Sequence, residues 1–519
     1  MRIQDWFLTG DERGNPATRL DAWSTGNDVR PLVHGATYFA ELKTRLEELE
    51  KGDLLLFADW RGDPDERLTE DGPGVGDAMA AAAGRGAVVR GLIWRSHLDQ
   101  LRFSSAENRH LGEEIEAAGG QAVLDTRTKP GGSHHQKFVI LRHTDPVKDV
   151  AFVGGIDLCH SRRDDVDHMG DPQACPMPEA YGERPPWHDI QVSIRGPAVA
   201  EVEKVFCERW EDPAPPTRDP LRRLRDHFDK MDDAPALPEA GAPPPPAGTH
   251  AVQILRTYPA RRSAYPFAPE GERSVARAYH KVLGRARRLV YLEDQYLWST
   301  DVIEPFARAL EREPGLRMLI VVPRHPDQDG WLAGPASLIG RVEALDRLLT
   351  AGGDRVAIYD LENHQGTPVY VHAKACVVDD VWASVGSDNV NLRSWTNDSE
   401  LSCAVLDERE DPRPPHGAAK FARELRLTLM SEHLDVPGAG AELDELCDPI
   451  AAFDAFAASA ARLEAWHAGG GKGPRPPGRL RPHPVPELTR FRRLLASPLY
   501  RLAVDPDGRP ASMRRSRRF

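Results

Sequence analysis

The stretch His372-Ala373-Lys374-Ala375-Cys376-Val377-Val378-Asp379 decides the reading of this chain, because its grammar occurs twice. In the first half His135-Gln136-Lys137 leads into Phe138-Val139-Ile140-Leu141 and then the turn Gly154-Gly155. In the second half the apolar run Ala375–Val378 leads to the turn Gly386-Ser387. Each copy then reaches an acidic polar segment, Trp187-His188-Asp189 in one and Asn397-Asp398-Ser399-Glu400 in the other. One His-x-Lys is ordinarily a solvated strand face. Two copies with the same continuation are an internal duplication, and they point to a single site built from both halves.

The residue types explain what such a site does. A strand turns residues i and i+2 to the same face, so the His and Lys of each copy point together. If the copies pack about a pseudo-two-fold axis, two imidazoles and two ammonium groups converge. The lysines Lys137 and Lys374 hold a phosphate as point charges. One of His135 and His372 attacks phosphorus in its neutral form, and the other protonates the leaving oxygen. Imidazole suits both tasks because its unperturbed pKa is about 6.5. Asp189 and Glu400 are the candidate carboxylates that fix tautomer and orientation from the far ring nitrogen. None of this chemistry calls for a metal.

These residues resemble the phospholipase D superfamily, whose signature is HxKxxxxD in duplicate. The second copy matches throughout, with His372, Lys374 and Asp379, then Gly386-Ser387-Asp388-Asn389-Val390-Asn391, then Glu400. The first departs at the acidic position, where Arg142 stands, so Asp149 or Asp145 is expected to take over that structural role. The segments Asn27–Val33, Val153–Cys159 and Trp187–Asp189 with Arg195-Gly196-Pro197 are similar to the phosphatidylcholine-cleaving branch. Tyr291–Tyr296 resembles a further family motif, with Asp294 where Asn is usual. The resemblance implies a phosphodiesterase that converts a phosphatidylcholine-like lipid to phosphatidic acid and alcohol. Its intermediate is a phosphohistidine, on His135 by position in the family, and a primary alcohol in place of water gives transphosphatidylation. The turn residues Gly155 and Ser387 and the polar Asp157 and Asn389 that follow are the expected substrate contacts. The implied partner is phospholipid at a membrane surface, with no cofactor. Two alternatives remain, a phosphatidyltransferase of the cardiolipin synthase type and a catalytically silent lipid- or protein-binding scaffold.

Alternating strand and helix patterns on both sides of a Pro-rich connector predict an α/β fold. We expect two similar α/β-sandwich halves, each a mixed β-sheet flanked by helices, related by a pseudo-two-fold axis. The first half spans 1–215, the connector 216–250, the second half 251–435, and a partly disordered C-terminal extension 436–519. In that extension one helix is expected over Ala441–His467, and the Arg-rich end Met513–Phe519 reads as a solvated tail. At 519 residues and 40% hydrophobic content the chain can bury sizeable cores. Its six scattered cysteines read as buried free thiols. His134, His160, His168 and His188 lack zinc-type spacing, so they read as surface or supporting residues and no metal is expected.

A net charge of −13 argues against a general nucleic-acid binder, although Arg90, Arg95 and Arg102 form a local basic group. The N-terminal residues have no continuous apolar run of secretory type, and no stretch approaches the ~20 apolar residues of a membrane span. The expectation is a cytoplasmic monomer, peripheral at the membrane, with no transmembrane anchor.

Overall fold

The computed structural model describes residues 2–95, 105–217, 235–239, 241–327, 333–485, 488–489, 496–516 and 518–519, with the isolated positions 220, 224 and 227. The apolar runs of the sequence become strands buried on both faces. In the first half these are β1 (Ser24–Val33), β2 (Leu54–Asp59), β3 (Val88–Trp94), β4 (Gln121–Asp125), β5 (Phe138–Arg142), β6 (Val150–Gly154), β7 (Trp187–His188) and β8 (Ile190–Arg195). The second half contributes β9 (His250–Tyr258), β10 (Glu272–Arg273), β11 (Leu289–Glu293), β12 (Arg317–Val321), β13 (Val356–Glu362) and β14 (Pro368–Val371). It continues with β15 (Ala375–Val378), β16 (Trp382–Gly386) and β17 (Glu400–Asp407), and the extension adds β18 (Leu480–Pro482).

The pairing repeats. One sheet runs β4-β3-β2-β5-β6-β8-β1, with β2, β3 and β4 parallel and the other neighbours antiparallel. The other runs β13-β12-β11-β15-β16-β17-β9, again with its first three strands parallel and the rest antiparallel. Both motif strands, β5 and β15, therefore hold the same place in their sheets. Two links cross between the sheets, β1 with β9 antiparallel and β7 with β14 parallel.

Side-chain alternation explains the layering. Leu56, Ala58, Phe138, Ile140 and Val153 of the first sheet join Tyr291, Leu319, Ala375, Val377 and Val385 of the second in one central core. The intervening residues Leu55, Phe57, Val139 and Leu141 face outward into a core shared with Tyr38, Phe39, Leu42 and Met79 of the covering helices. Val290, Leu292, Cys376 and Val378 do the same in the second half, under the helices Ser274–Leu283 and Thr300–Arg312. Strands covered on both sides explain why the sequence shows near-continuous Val/Ile/Leu runs rather than polar alternation. The expected α/β class, with mixed sheets flanked by helices, is what the chain adopts.

One expectation changes, and the C-terminal extension gains definition. The helix anticipated over Ala441–His467 is two, Ala441–Glu445 and Pro449–Ala468. Asp448 interrupts it because its carboxylate accepts from Ile450 and Ala451 N–H at 2.9 Å, and Pro449 starts the new helix. The extension is built into the fold, since β18 adds antiparallel to β13. At the chain end Arg514, Arg515 and Arg518 are exposed, as expected, while the Phe519 ring packs on Trp395 and under the Arg509 guanidinium. All six cysteines are unbridged.

Candidate active site

Each motif strand starts from the same backbone arrangement, made across the two halves. His135 N–H donates to the Ser399 carbonyl at 2.9 Å, and His372 N–H donates to the His188 carbonyl at 2.8 Å. Those carbonyls belong to the residues immediately before Glu400 and Asp189. The result is a crossed pair: Nδ1 of His135 is hydrogen-bonded to both Glu400 oxygens at 3.1 and 3.0 Å, and Nδ1 of His372 to Asp189 Oδ2 at 2.6 Å. Each half supplies a histidine oriented by the other half's carboxylate.

The lysines follow the same two-fold logic. Lys137 Nζ donates to the His135 carbonyl at 2.9 Å and Lys374 Nζ to the His372 carbonyl. Lys137 also lies 3.4 Å from Asp157, whose other oxygen accepts from Arg162 at 3.3 Å. The structure places Asp157, Gly155 and Ser387 behind these groups. A Cβ on Gly155 would sit 2.2 Å from Asp189 Oδ1, so glycine is needed for the carboxylate to come this close. Ser387 Oγ donates to Glu400 Oε2 at 2.5 Å and accepts from Leu401 N–H at 3.0 Å. Asn389 stands in the second half where Asp157 stands in the first, buried and with its Oδ1 unpartnered.

The charges are set by burial. Burial, with Lys137 and Lys374 nearby, holds the His135 imidazole well below its ordinary pKa. Burial with Lys374 and Arg162 does the same to His372. Glu400 is pushed up to about 8 by burial and by Asp398. Burial, with Lys137 close by, draws Lys374 down to about 8. Asp59 is pushed far up by burial and by Asp157, while Lys137 and Arg162 outweigh burial at Asp157 and keep it ionised.

The structural carboxylates are asymmetric. Asp379, in a left-handed turn at φ 55°, accepts from the backbone N–H groups of Arg287, Arg288 and Leu289 at 2.8, 2.8 and 3.0 Å. In the first half Arg142 replaces it and pairs with Asp149 and Glu203, each at 3.0 Å. Asp149 also accepts from His143 N–H at 2.6 Å, whereas Asp145 only caps a short turn by accepting from Val147 N–H at 3.2 Å. Sequence reasoning missed Asp53, which reaches over from the start of β2 to accept from Thr144 N–H at 2.8 Å. The carboxylate has moved to the opposite strand of the same turn. Asp294 accepts from Val390 N–H at 2.7 Å and so anchors the loop that carries Asn389. Also missed was Arg162, stacked 4.0 Å over the Trp187 ring, which itself lies 4.9 Å from the His372 ring. The basic residues of an aromatic-flanked loop were its only signal. Of the local basic group, Arg90 is spent on the Val89 carbonyl and Arg102 lies outside the described residues.

The chain is similar to several known proteins. A family model described as phospholipase D matches residues 121–302. Among curated proteins, Phospholipase D A of Dictyostelium discoideum is 27% identical over 58% of this chain and 27% of its own length. Phospholipase D alpha 2 of Oryza sativa subsp. japonica is 25% identical over 69% of this chain and 58% of its own. Phospholipase D1 of Schizosaccharomyces pombe is 25% identical over 58% and 27%. The chain thus spans from about a quarter to somewhat over half the length of these relatives. Among solved structures, phosphatidylserine synthase of Haemophilus influenzae Rd KW20 matches 73% of this chain and 82% of its own, at 14% identity and TM-score 0.50, a likeness of fold.

Proposed function

We propose that the chain, similar to phospholipase D in its family-model match and its curated relatives, is a phosphodiesterase that cleaves the headgroup ester of a phosphatidylcholine-like phospholipid through a phosphohistidine. The observation that supports this reading is the crossed pairing of His135 with Glu400 and His372 with Asp189 around two lysines. Such pairing orients both imidazoles with their Nε2 atoms free for chemistry, which a silent scaffold does not require.

His135 is the nucleophile in this reading, since its side chain is 15% exposed against 6% for His372. Its neutral Nε2 attacks phosphorus while His372 gives a proton to the departing alcohol oxygen. Water then enters, His372 takes its proton, and the P–N bond to His135 breaks to release phosphatidic acid. An alcohol in place of water forms a new phosphodiester. The negative charge of the incoming phosphodiester favours protonation of His372. Lys137, Lys374 and Asn389 stabilise the phosphoryl oxygens, each such donor contributing about 3–4 kcal/mol in comparable sites. Asp157, Gly155 and Ser387 act from behind, on Lys137, Asp189 and Glu400.

A phosphatidyl ester of p-nitrophenol tests the assignment, because that leaving group departs without an acid. With His372→Asn the reading expects a burst of about one equivalent of p-nitrophenol per chain, then a stalled phosphoenzyme. A burst from His135→Asn instead would reverse the two roles, and no burst from either would remove the covalent intermediate.

A further inference from the structure

Behind the His372–Asp189 pair lies a second constellation that the reaction does not use. His34 follows β1, His168 lies in the loop before β7, His188 ends β7, and Glu432 comes from the helix Lys420–Leu434 of the other half. All three histidines are buried, and each aims one ring nitrogen at the same carboxylate. Nε2 of His34 is 2.8 Å from Glu432 Oε2, Nε2 of His168 is 3.0 Å from Oε1, and Nδ1 of His188 is 3.5 Å from Oε1. The three rings lie edge to face, with centroids 4.8, 5.1 and 5.7 Å apart.

We propose that His34, His168, His188 and Glu432 form a buried four-ligand site for a divalent metal ion of the zinc class, clasping the two halves together behind the His372–Asp189 pair. Three imidazoles bound tetrahedrally at about 2.0–2.1 Å place their ring centroids ~5 Å apart and their donor atoms ~3.3 Å apart. The centroid spacings bracket the first value and the three histidine–carboxylate distances the second, with all four donor atoms within 4.8 Å of one another. A purely hydrogen-bonded cluster leaves the buried His188 Nδ1 with no hydrogen bond, only a long 3.5 Å contact to Glu432 Oε1, although it points into the group. A metal ion supplies that partner. On its outer side His188 Nε2 is 2.7 Å from Glu293 Oε2, the carboxylate support that metal-bound histidines typically have, and His168 Nδ1 lies 3.7 Å from Asp164, while His34 Nδ1 has no hydrogen bond. Glu293 is held in turn by Tyr291 Oη at 2.5 Å and by His433 Nε2 at 2.8 Å. Three nitrogens and one oxygen in a buried setting suit zinc over calcium or magnesium, and four protein ligands leave no open position. The site is structural, and its ligands touch the machinery: His34 N–H donates to the Asp189 carbonyl at 2.9 Å, and the His188 carbonyl receives His372 N–H.

The test uses the full chain purified without a polyhistidine tag, and it is independent of any lipid assay. Elemental analysis should find about one zinc-class ion per chain. After dialysis against chelator, titration with Zn²⁺ should raise the melting temperature and saturate at one site, and Co²⁺ should give the intense visible bands of four-coordinate cobalt. Glu432→Gln and His168→Gln should each weaken Zn²⁺ binding by about tenfold or more. If a variant fails to fold, the Co²⁺ spectrum of the unaltered chain decides. No stoichiometric metal with no effect of Zn²⁺ on melting overturns the proposal and leaves a proton-sharing network. Weak octahedral cobalt bands, or undiminished binding in both folded variants, overturn it equally.

Discussion

At the scale of single residues, the site is defined by what sits behind each imidazole. His135→Ala and His372→Ala are each expected to lower turnover by at least about 10³-fold with the melting temperature unchanged, since nucleophile and acid/base act as a unit. Gly155→Ala is a sharper probe, because the new Cβ falls 2.2 Å from Asp189 Oδ1 and must displace it from His372. We expect a drop in kcat of about 10–100-fold with little change in KM, the usual scale for losing an orienting carboxylate. The pH profile follows from Lys374, which burial draws down to about 8. As pH rises through that value the ammonium is lost, so activity falls above about pH 8, and Lys374→Arg should carry residual activity to higher pH. The stability sign is opposite. The unfolded lysine keeps its proton to about pH 10.4, so between pH 8 and 10.4 the unfolded state binds more protons and this group's contribution to stability rises. Sequence alone singled out both histidines, both lysines and both carboxylates as candidates, because they sit in a repeated local grammar. It did not reveal which carboxylate serves which histidine, since the partners lie 265 and 183 positions apart.

At the scale of elements, the turn after each motif strand shows how one structural need is met in two ways. Asp379 satisfies three backbone N–H groups leading into β11, those of Arg287, Arg288 and its first residue Leu289. Asp379→Ala leaves them unpaired and is expected to destabilise the protein by about 2–3 kcal/mol in denaturant titration, with Asp379→Asn milder. In the first half the same turn relies on Asp53 from the neighbouring strand and on Asp149, which Arg142 covers. A motif position read along one strand cannot show a carboxylate supplied by another. The strands themselves were legible because burial on both faces writes an uninterrupted apolar run. The break at Asp448 and the docking of β18 were not, since a cap and an added edge strand depend on what lies beside them in space.

At the scale of the whole molecule, the duplication makes the two halves mutually dependent. Each histidine takes both its backbone partner and its carboxylate from the other half, so a chain holding both halves is self-sufficient. Mixing His135→Ala chains with His372→Ala chains should therefore restore no activity, and recovery on mixing would indicate halves exchanged between chains. Among the described residues no helix is long and apolar enough to cross a membrane. The seam also holds the His34–His168–His188–Glu432 cluster, drawn from four distant positions with no motif spacing. Histidines counted along the sequence gave no sign of it, and only the packing of the two halves brings them together.

The most direct measurement is incubation of the purified protein with phosphatidylcholine vesicles and ethanol, followed by mass spectrometry of the lipids. A phosphatidyl group held on a histidine must partition between water and alcohol, so the account predicts phosphatidic acid and phosphatidylethanol together, and neither from His135→Ala. Phosphatidic acid without any phosphatidylethanol across a range of ethanol concentrations, or neither product from folded protein with several headgroups, would contradict it.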